Sequence, residues 1–100
     1  MPAYRWHFVL ERSMHFNYIL YSSKLGRFYT GETQNIEQRL SKHNSRGVRS
    51  TKGGIPWNLI WYKNLKDRSL ARQLEKKIKS RGIRRFLEDQ GVDISQLLKN

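Results

Sequence analysis

Apolar and polar side chains alternate over His15–Ser22, where Phe16, Tyr18 and Leu20 interleave with Asn17, Ile19 and Tyr21. A period of two predicts a β-strand. Residues 23–26, Ser-Lys-Leu-Gly, follow as a turn, with Gly26 free to take a positive φ. A second strand is predicted over Arg27–Thr33, and so short a connection makes the two an antiparallel hairpin. The period then changes to that of a helix. Asn35 is placed to cap it, Glu37 sits in its first turn where the dipole favours a negative charge, and it runs to about Asn44. Residues 45–56 hold three glycines and a proline and read as a loop. Residues 57–62 predict a third strand, apolar on both faces and therefore well covered. Asp67 caps a second helix that extends to about Ser80 and carries Leu70, Ala71, Leu74 and Ile78 on one side. Gly82 allows a break, a short helix follows through Leu87, and residues 93–98 read as a last turn or a frayed end.

The order β-β-α-β-α-α predicts an α/β (α+β) fold, one small sheet with helices packed on it. One hundred residues and 12.0 kDa allow a single domain, expected over residues 14–89, with residues 90–100 as a tail. Residues 1–13 read as an extension. Trp6 to Leu10 would be either an extra strand or a packing arm, and Met14 is an alternative start.

Charge changes the picture most. Twenty Lys and Arg oppose eight Asp and Glu, for a formal net charge of +12. Such an excess repels itself unless a polyanion relieves it, and the expected polyanion is nucleic acid, DNA ahead of RNA. The cations are clustered: five and no acid over residues 39–54, ten and two acids over residues 63–85. The absence of cysteine excludes a disulfide scaffold, a thiolate zinc site and a Cys nucleophile, and suits a reducing, cytoplasmic setting. No apolar run reaches the roughly 18 residues of a membrane span, so no membrane partner is expected.

Several residues fit poorly in a plain core. On a helical wheel Ile36, Leu40 and His43 fall together with Arg39 beside them. Burying His and Arg is costly unless they face a cleft or a partner, although His43 also suits the negative end of a helix and Arg39 can snorkel. Glu75 edges the Ala71, Leu74 and Ile78 stripe. It suits an i,i+4 pair with Lys79, or a Mg²⁺ ligand completed by water and phosphate oxygens. Tyr18 and Tyr29 lie on paired strands, where cross-strand aromatic packing is the ordinary use.

Taken together, these positions resemble the GIY-YIG nuclease family. The resemblance rests on Tyr18-Ile19-Leu20, Phe28-Tyr29-Thr30-Gly31, residues 35–44 (NIEQRLSKHN), the loop at 50–57 (STKGGIPW) and residues 71–79 (ARQLEKKIK), five elements in order across residues 14–89. The loop looks like that of the small stand-alone bacterial members, and the unit is shared with UvrC-type repair nucleases. Of the first motif, here Phe16-Asn17-Tyr18, only the tyrosine survives, and Glu32 follows the glycine where several relatives carry a basic residue.

The resemblance implies a three-stranded antiparallel sheet flanked by helices, and phosphodiester hydrolysis in DNA with one divalent ion, Mg²⁺ or Mn²⁺. It puts the motif tyrosines at Tyr18 and Tyr29, the arginine at Arg39, the helix histidine at His43 and the metal-binding glutamate at Glu75. Gly31 becomes the second motif's glycine, where a side chain would crowd the sheet or the approaching DNA. Tyr18 would take a proton from water, with Tyr29 aligning it or exchanging roles with it. Lys24, Arg27, Arg46, Arg49, Lys77 and Lys79 are candidates for grip on the DNA backbone. A chain this short has no room for a recognition domain, so specificity is low, directed at branched or damaged DNA, or supplied by a partner protein. The competing expectation is a catalytically weak or inactive DNA- or RNA-binding module of the same fold.

Overall fold

The computed structural model describes residues 14–98. The extension and the arm at Trp6 to Leu10 lie outside the described residues. Strands β1 (His15–Ser22) and β2 (Arg27–Thr33) form the expected antiparallel hairpin. Gly26 closes it at φ 64°, a conformation only glycine adopts without strain. Helix α1 (Ile36–Asn44) starts where Asn35 accepts a hydrogen bond from the Gln38 N–H at 2.9 Å. Strand β3 (Asn58–Leu65) returns along β1, so the sheet order is β2-β1-β3, antiparallel throughout. Helices α2 (Arg68–Arg81), α3 (Ile83–Asp89) and α4 (Ser95–Leu98) complete the described chain. Asp67 caps α2 by accepting from the Leu70 N–H at 3.0 Å, and Gly82, at φ 94°, separates α2 from α3.

Alternation along β1, the central strand, gives each face of the sheet its own core. Ile19 joins Ile78, Phe86, Leu87 and Ile94 under the later helices. Tyr18, Leu20 and Trp57 pack with Tyr29 and Leu40 under α1 and the following loop. Each fully buried Ile or Leu contributes roughly 1.5–3 kcal/mol.

One expectation is corrected. The third strand is not well covered: it is a sheet edge, begins at Asn58 and continues to Leu65, and none of its residues is buried. An irregularity opposite Ile19 and Leu20 turns both Ile60 and Trp61 toward the helical core, while Tyr62 is 54% exposed.

Candidate active site

Tyr18 sits directly across from Gly31 in the β1–β2 register. A Cβ on Gly31 would come within 2.6 Å of the Tyr18 hydroxyl oxygen. The missing side chain therefore lets the Tyr18 ring lie over strand β2, which is an edge of the sheet. The crowding expected at Gly31 is with this ring.

The hydroxyl of Tyr18 meets Nε2 of His43 at 3.0 Å, and Nδ1 of His43 meets Oγ1 of Thr51 at 2.7 Å. The Thr51 hydroxyl donates its one proton to the Val48 carbonyl at 3.3 Å. It must therefore accept from Nδ1–H. Nε2 then carries a lone pair, and Tyr18 donates to it. The direction of the whole chain follows from the last link: Tyr18 O–H to His43, His43 N–H to Thr51, Thr51 O–H to the Val48 carbonyl.

The loop after α1 holds Thr51 in place. Its carbonyl accepts from Trp57 Nε1 at 2.6 Å. Asn44 in turn clamps Trp57, accepting from its N–H at 2.7 Å and donating to its carbonyl at 3.0 Å. His43 and Thr51 are both buried. The Tyr29 ring centre stands 5.0 Å from that of His43 and 6.3 Å from that of Tyr18.

Burial pushes the Tyr18 phenol pKa up, with Tyr29 and the Glu75 carboxylate adding to the shift, while the neighbouring Arg39 guanidinium pulls it down. Burial lowers the His43 pKa from its ordinary 6.5, and the charges of Arg39 and Lys42 lower it further. The ring is therefore neutral at pH 7, as the hydrogen-bond directions require.

Glu75 forms the i,i+4 ion pair with Lys79, 3.1 Å long, and is partly exposed to a groove of about 600 Å³. Its charge reaches Tyr18. No group of three or more His, Cys, Asp or Glu side chains that could enclose a metal exists among the described residues. A carboxylate facing an open groove is the kind of donor a hard divalent cation takes when its other ligands are water and phosphate oxygens. Glu32 adds a second carboxylate nearby: it pairs with Arg68 at 3.4 Å, and its other oxygen, Oε2, is buried without a partner. Glu32, Arg39 and Arg68 line an adjoining cleft of about 380 Å³.

Tyr18, Tyr29, Arg39, His43 and Glu75 are thus gathered at one edge of the sheet. The expected grip residues are more dispersed. Lys24 and Arg27 belong to the hairpin end, Arg46 and Arg49 to the exposed loop after α1, and Lys79 to the Glu75 groove. Lys77 lies toward Asp89, on the opposite side of α2 from Glu75. Thr51, Arg68, Arg72 and Lys76 were not expected. The three cations share a helical-wheel face with Glu75, a signal present in the spacing. Thr51 sits in an aperiodic loop and gives no such signal.

The model of the GIY-YIG catalytic domain matches residues 14–84, and the chain belongs to this family. The fold and its nuclease-family membership imply a nucleic-acid substrate, and nucleases of the family generally use a divalent metal ion. Among curated relatives, the chain is 35% identical over 85 residues to a UPF0213 protein of Haloquadratum walsbyi, covering 82% of this chain and 94% of that one. It is 33% identical over 91 residues to a UPF0213 protein of Bacillus licheniformis, covering 84% and 93%. A UPF0213 protein of Photorhabdus laumondii is 41% identical over 61 residues, but the match spans only 59% of that protein's length. The solution NMR structure of a UPF0213 protein from Bacillus halodurans matches with a TM-score of 0.50 at 29% identity, covering 78% of this chain and 83% of that one.

Proposed function

We propose that the chain is a metal-dependent endonuclease that hydrolyses phosphodiester bonds in DNA, with Tyr18, Tyr29, Arg39, His43 and Glu75 at its centre. The observation that carries this reading is the directed chain from Tyr18 through His43 to Thr51, beside Arg39 and within the field of Glu75. A divalent ion, Mg²⁺ or Mn²⁺, held by Glu75 would withdraw charge from the leaving oxygen.

The chain's own groups handle the proton and the phosphate. Burial keeps Tyr18 a phenol, so a free phenolate is not the base. Its oxygen takes a proton from the attacking water as its own proton passes to Nε2 of His43. The imidazolium so formed is stabilised by the negative phosphate alongside. The hydroxide attacks phosphorus, the bond from phosphorus to the leaving oxygen breaks, and solvent returns a proton to that oxygen. Arg39 holds the non-bridging oxygens as their charge builds. Tyr29 packs against His43 and keeps the two rings aligned.

The test is incubation of supercoiled and branched DNA with Mg²⁺, with Mn²⁺ and with chelator. Cleavage is expected only with metal. Glu75→Gln should abolish it and leave binding intact, and loss of both together counts against the assignment. Arg39→Ala should lower turnover about 10²–10³-fold with a smaller change in affinity. Salt-sensitive binding without cleavage in any condition makes the chain a binding module, and tighter binding to RNA than to DNA moves the substrate to RNA.

A further inference from the structure

The cations of helix α2 are not evenly distributed around it. At 100° per residue, Arg68, Arg72, Lys76 and Lys79 fall within an arc of about 80°, and Glu75 lies at its margin. All five line the groove of about 600 Å³. Lys77 and Arg81 lie on the opposite side of the helix, where Arg81 is committed to Asp89 through hydrogen bonds of 2.8 and 3.1 Å. Arg72 and Lys76 have no acidic partner among the described residues. Two such like charges one helical turn apart repel each other unless an anion covers them.

We infer that this stripe is the track of one nucleic-acid strand, running from the cleft of Arg39 and Arg68 past Glu75 toward Lys76 and Lys79. The inference rests on the nuclease reading for the position of Glu75, and it adds the path by which the substrate leaves the site. Arg68 lines both the Arg39 cleft and the Glu75 groove, so it joins them. From Arg68 to Lys79 the helix rises about 16 Å. Phosphates of a duplex strand recur about every 3.4 Å along its axis, so the stripe is long enough to meet several in succession. Lys79 is paired with Glu75 at 3.1 Å and Arg68 with Glu32 at 3.4 Å, so the charge without an acidic partner among the described residues lies between them, on Arg72 and Lys76. The groove's cations suit the phosphates of either backbone, with Ser69 and Gln73 as the uncharged polar groups beside them.

Two doubly substituted chains that lose the same net charge separate the track from bulk attraction. One is Arg72→Ala with Lys76→Ala; the other, from exposed positions of α3 outside the groove, is Arg84→Ala with Arg85→Ala. Binding to fluorescent duplex DNA, single-stranded DNA and single-stranded RNA is measured by anisotropy across a salt series, in chelator so that nothing is cut. The first pair should flatten the slope of log K against log salt by about 1.8 on duplex and about 1.4 on single strands, from about 0.9 and 0.7 per lost contact. The second pair should leave the slope as it is. Equal flattening by both pairs would mean the chain binds by overall charge, and the track is then wrong. RNA binding indifferent to the first pair also overturns it, since a phosphate track acts on either backbone. A chain that never cleaves but shows this asymmetry refutes the nuclease reading and leaves the track standing.

Discussion

Thr51 carries a chemical decision in one oxygen atom. With its proton directed to Val48, the hydroxyl can only accept from His43, and this holds the neutral imidazole in the Nδ1–H form. Without that acceptor the ring is free to protonate Nε2 instead and present a donor to Tyr18, which blocks it as a proton acceptor. Thr51→Val keeps the shape and removes the acceptor. Nitrogen NMR of His43 should then show loss of the pure Nδ1–H form, and cleavage should fall about 10²-fold or more. Thr51→Ser should restore both. An unchanged tautomer in the valine variant would reduce Thr51 to packing. The same ring sets a pH dependence. The His43 pKa is held below 6.5, so the acidic limb of the cleavage profile should lie below the ordinary imidazole range. The unfolded ring takes up its proton near 6.5 and the folded ring only at lower pH. Between those values the unfolded state binds more protons, so the contribution of His43 to stability is fully present above about pH 6.5 and is lost as pH falls. His43→Gln should flatten that part of a stability-against-pH curve.

Helix α1 ends in a way that sets stability against charge. The Gly47 N–H bonds back to the Lys42 carbonyl at 2.9 Å, and Arg46 between them takes φ 69°. This is the left-handed helix end at which glycine is the usual residue, and a side chain there costs about 1 kcal/mol or more. Arg46→Gly should therefore raise the thermal midpoint by about 4–8 °C. If Arg46 grips backbone phosphate, the same change should also reduce the salt slope of duplex binding by about 0.9. A more stable variant with unchanged slope would free Arg46 of that role. The elements readable in the sequence are those whose cause is local. Alternation over His15–Ser22 and the caps Asn35 and Asp67 act within a few residues, so β1 and both helix starts follow from the pattern. The exposure of β3 does not, because being an edge depends on the strand order. His43 stands out on an apolar helix stripe and Glu75 at the edge of another, while Tyr18 reads as ordinary cross-strand packing until the five motifs are taken together. The direction of proton transfer is not legible, because it depends on Thr51, a side chain without periodicity that reaches His43 only once the loop folds back. Asn17, buried and bonded to the Ala71 carbonyl at 3.0 Å, is another such link: it ties β1 to α2 one turn before Glu75.

At the scale of the whole molecule, the net charge of +12 makes two effects of salt oppose each other. In the free chain like charges repel, and added salt screens them, the screening length falling from about 10 Å at 0.1 M to about 3 Å at 1 M. The thermal midpoint of the free chain should therefore rise with ionic strength. A bound oligonucleotide relieves the same repulsion directly. At a free concentration 100 times its Kd it stabilises the folded chain by about 2.7 kcal/mol, a midpoint gain of roughly 10–20 °C for a domain of this size. That gain depends on affinity, and affinity falls as salt displaces the protein from phosphate. With oligonucleotide held at a fixed concentration in chelator, the midpoint should start high and decline toward that of the free chain. Melting curves with and without a short DNA strand between about 0.05 and 1 M salt, over which the screening length falls roughly fourfold, should thus converge from opposite sides. A free chain whose midpoint does not rise would mean that its positive charge is already balanced within the fold. Repulsion between the clustered cations would then give the protein no reason to seek a polyanion.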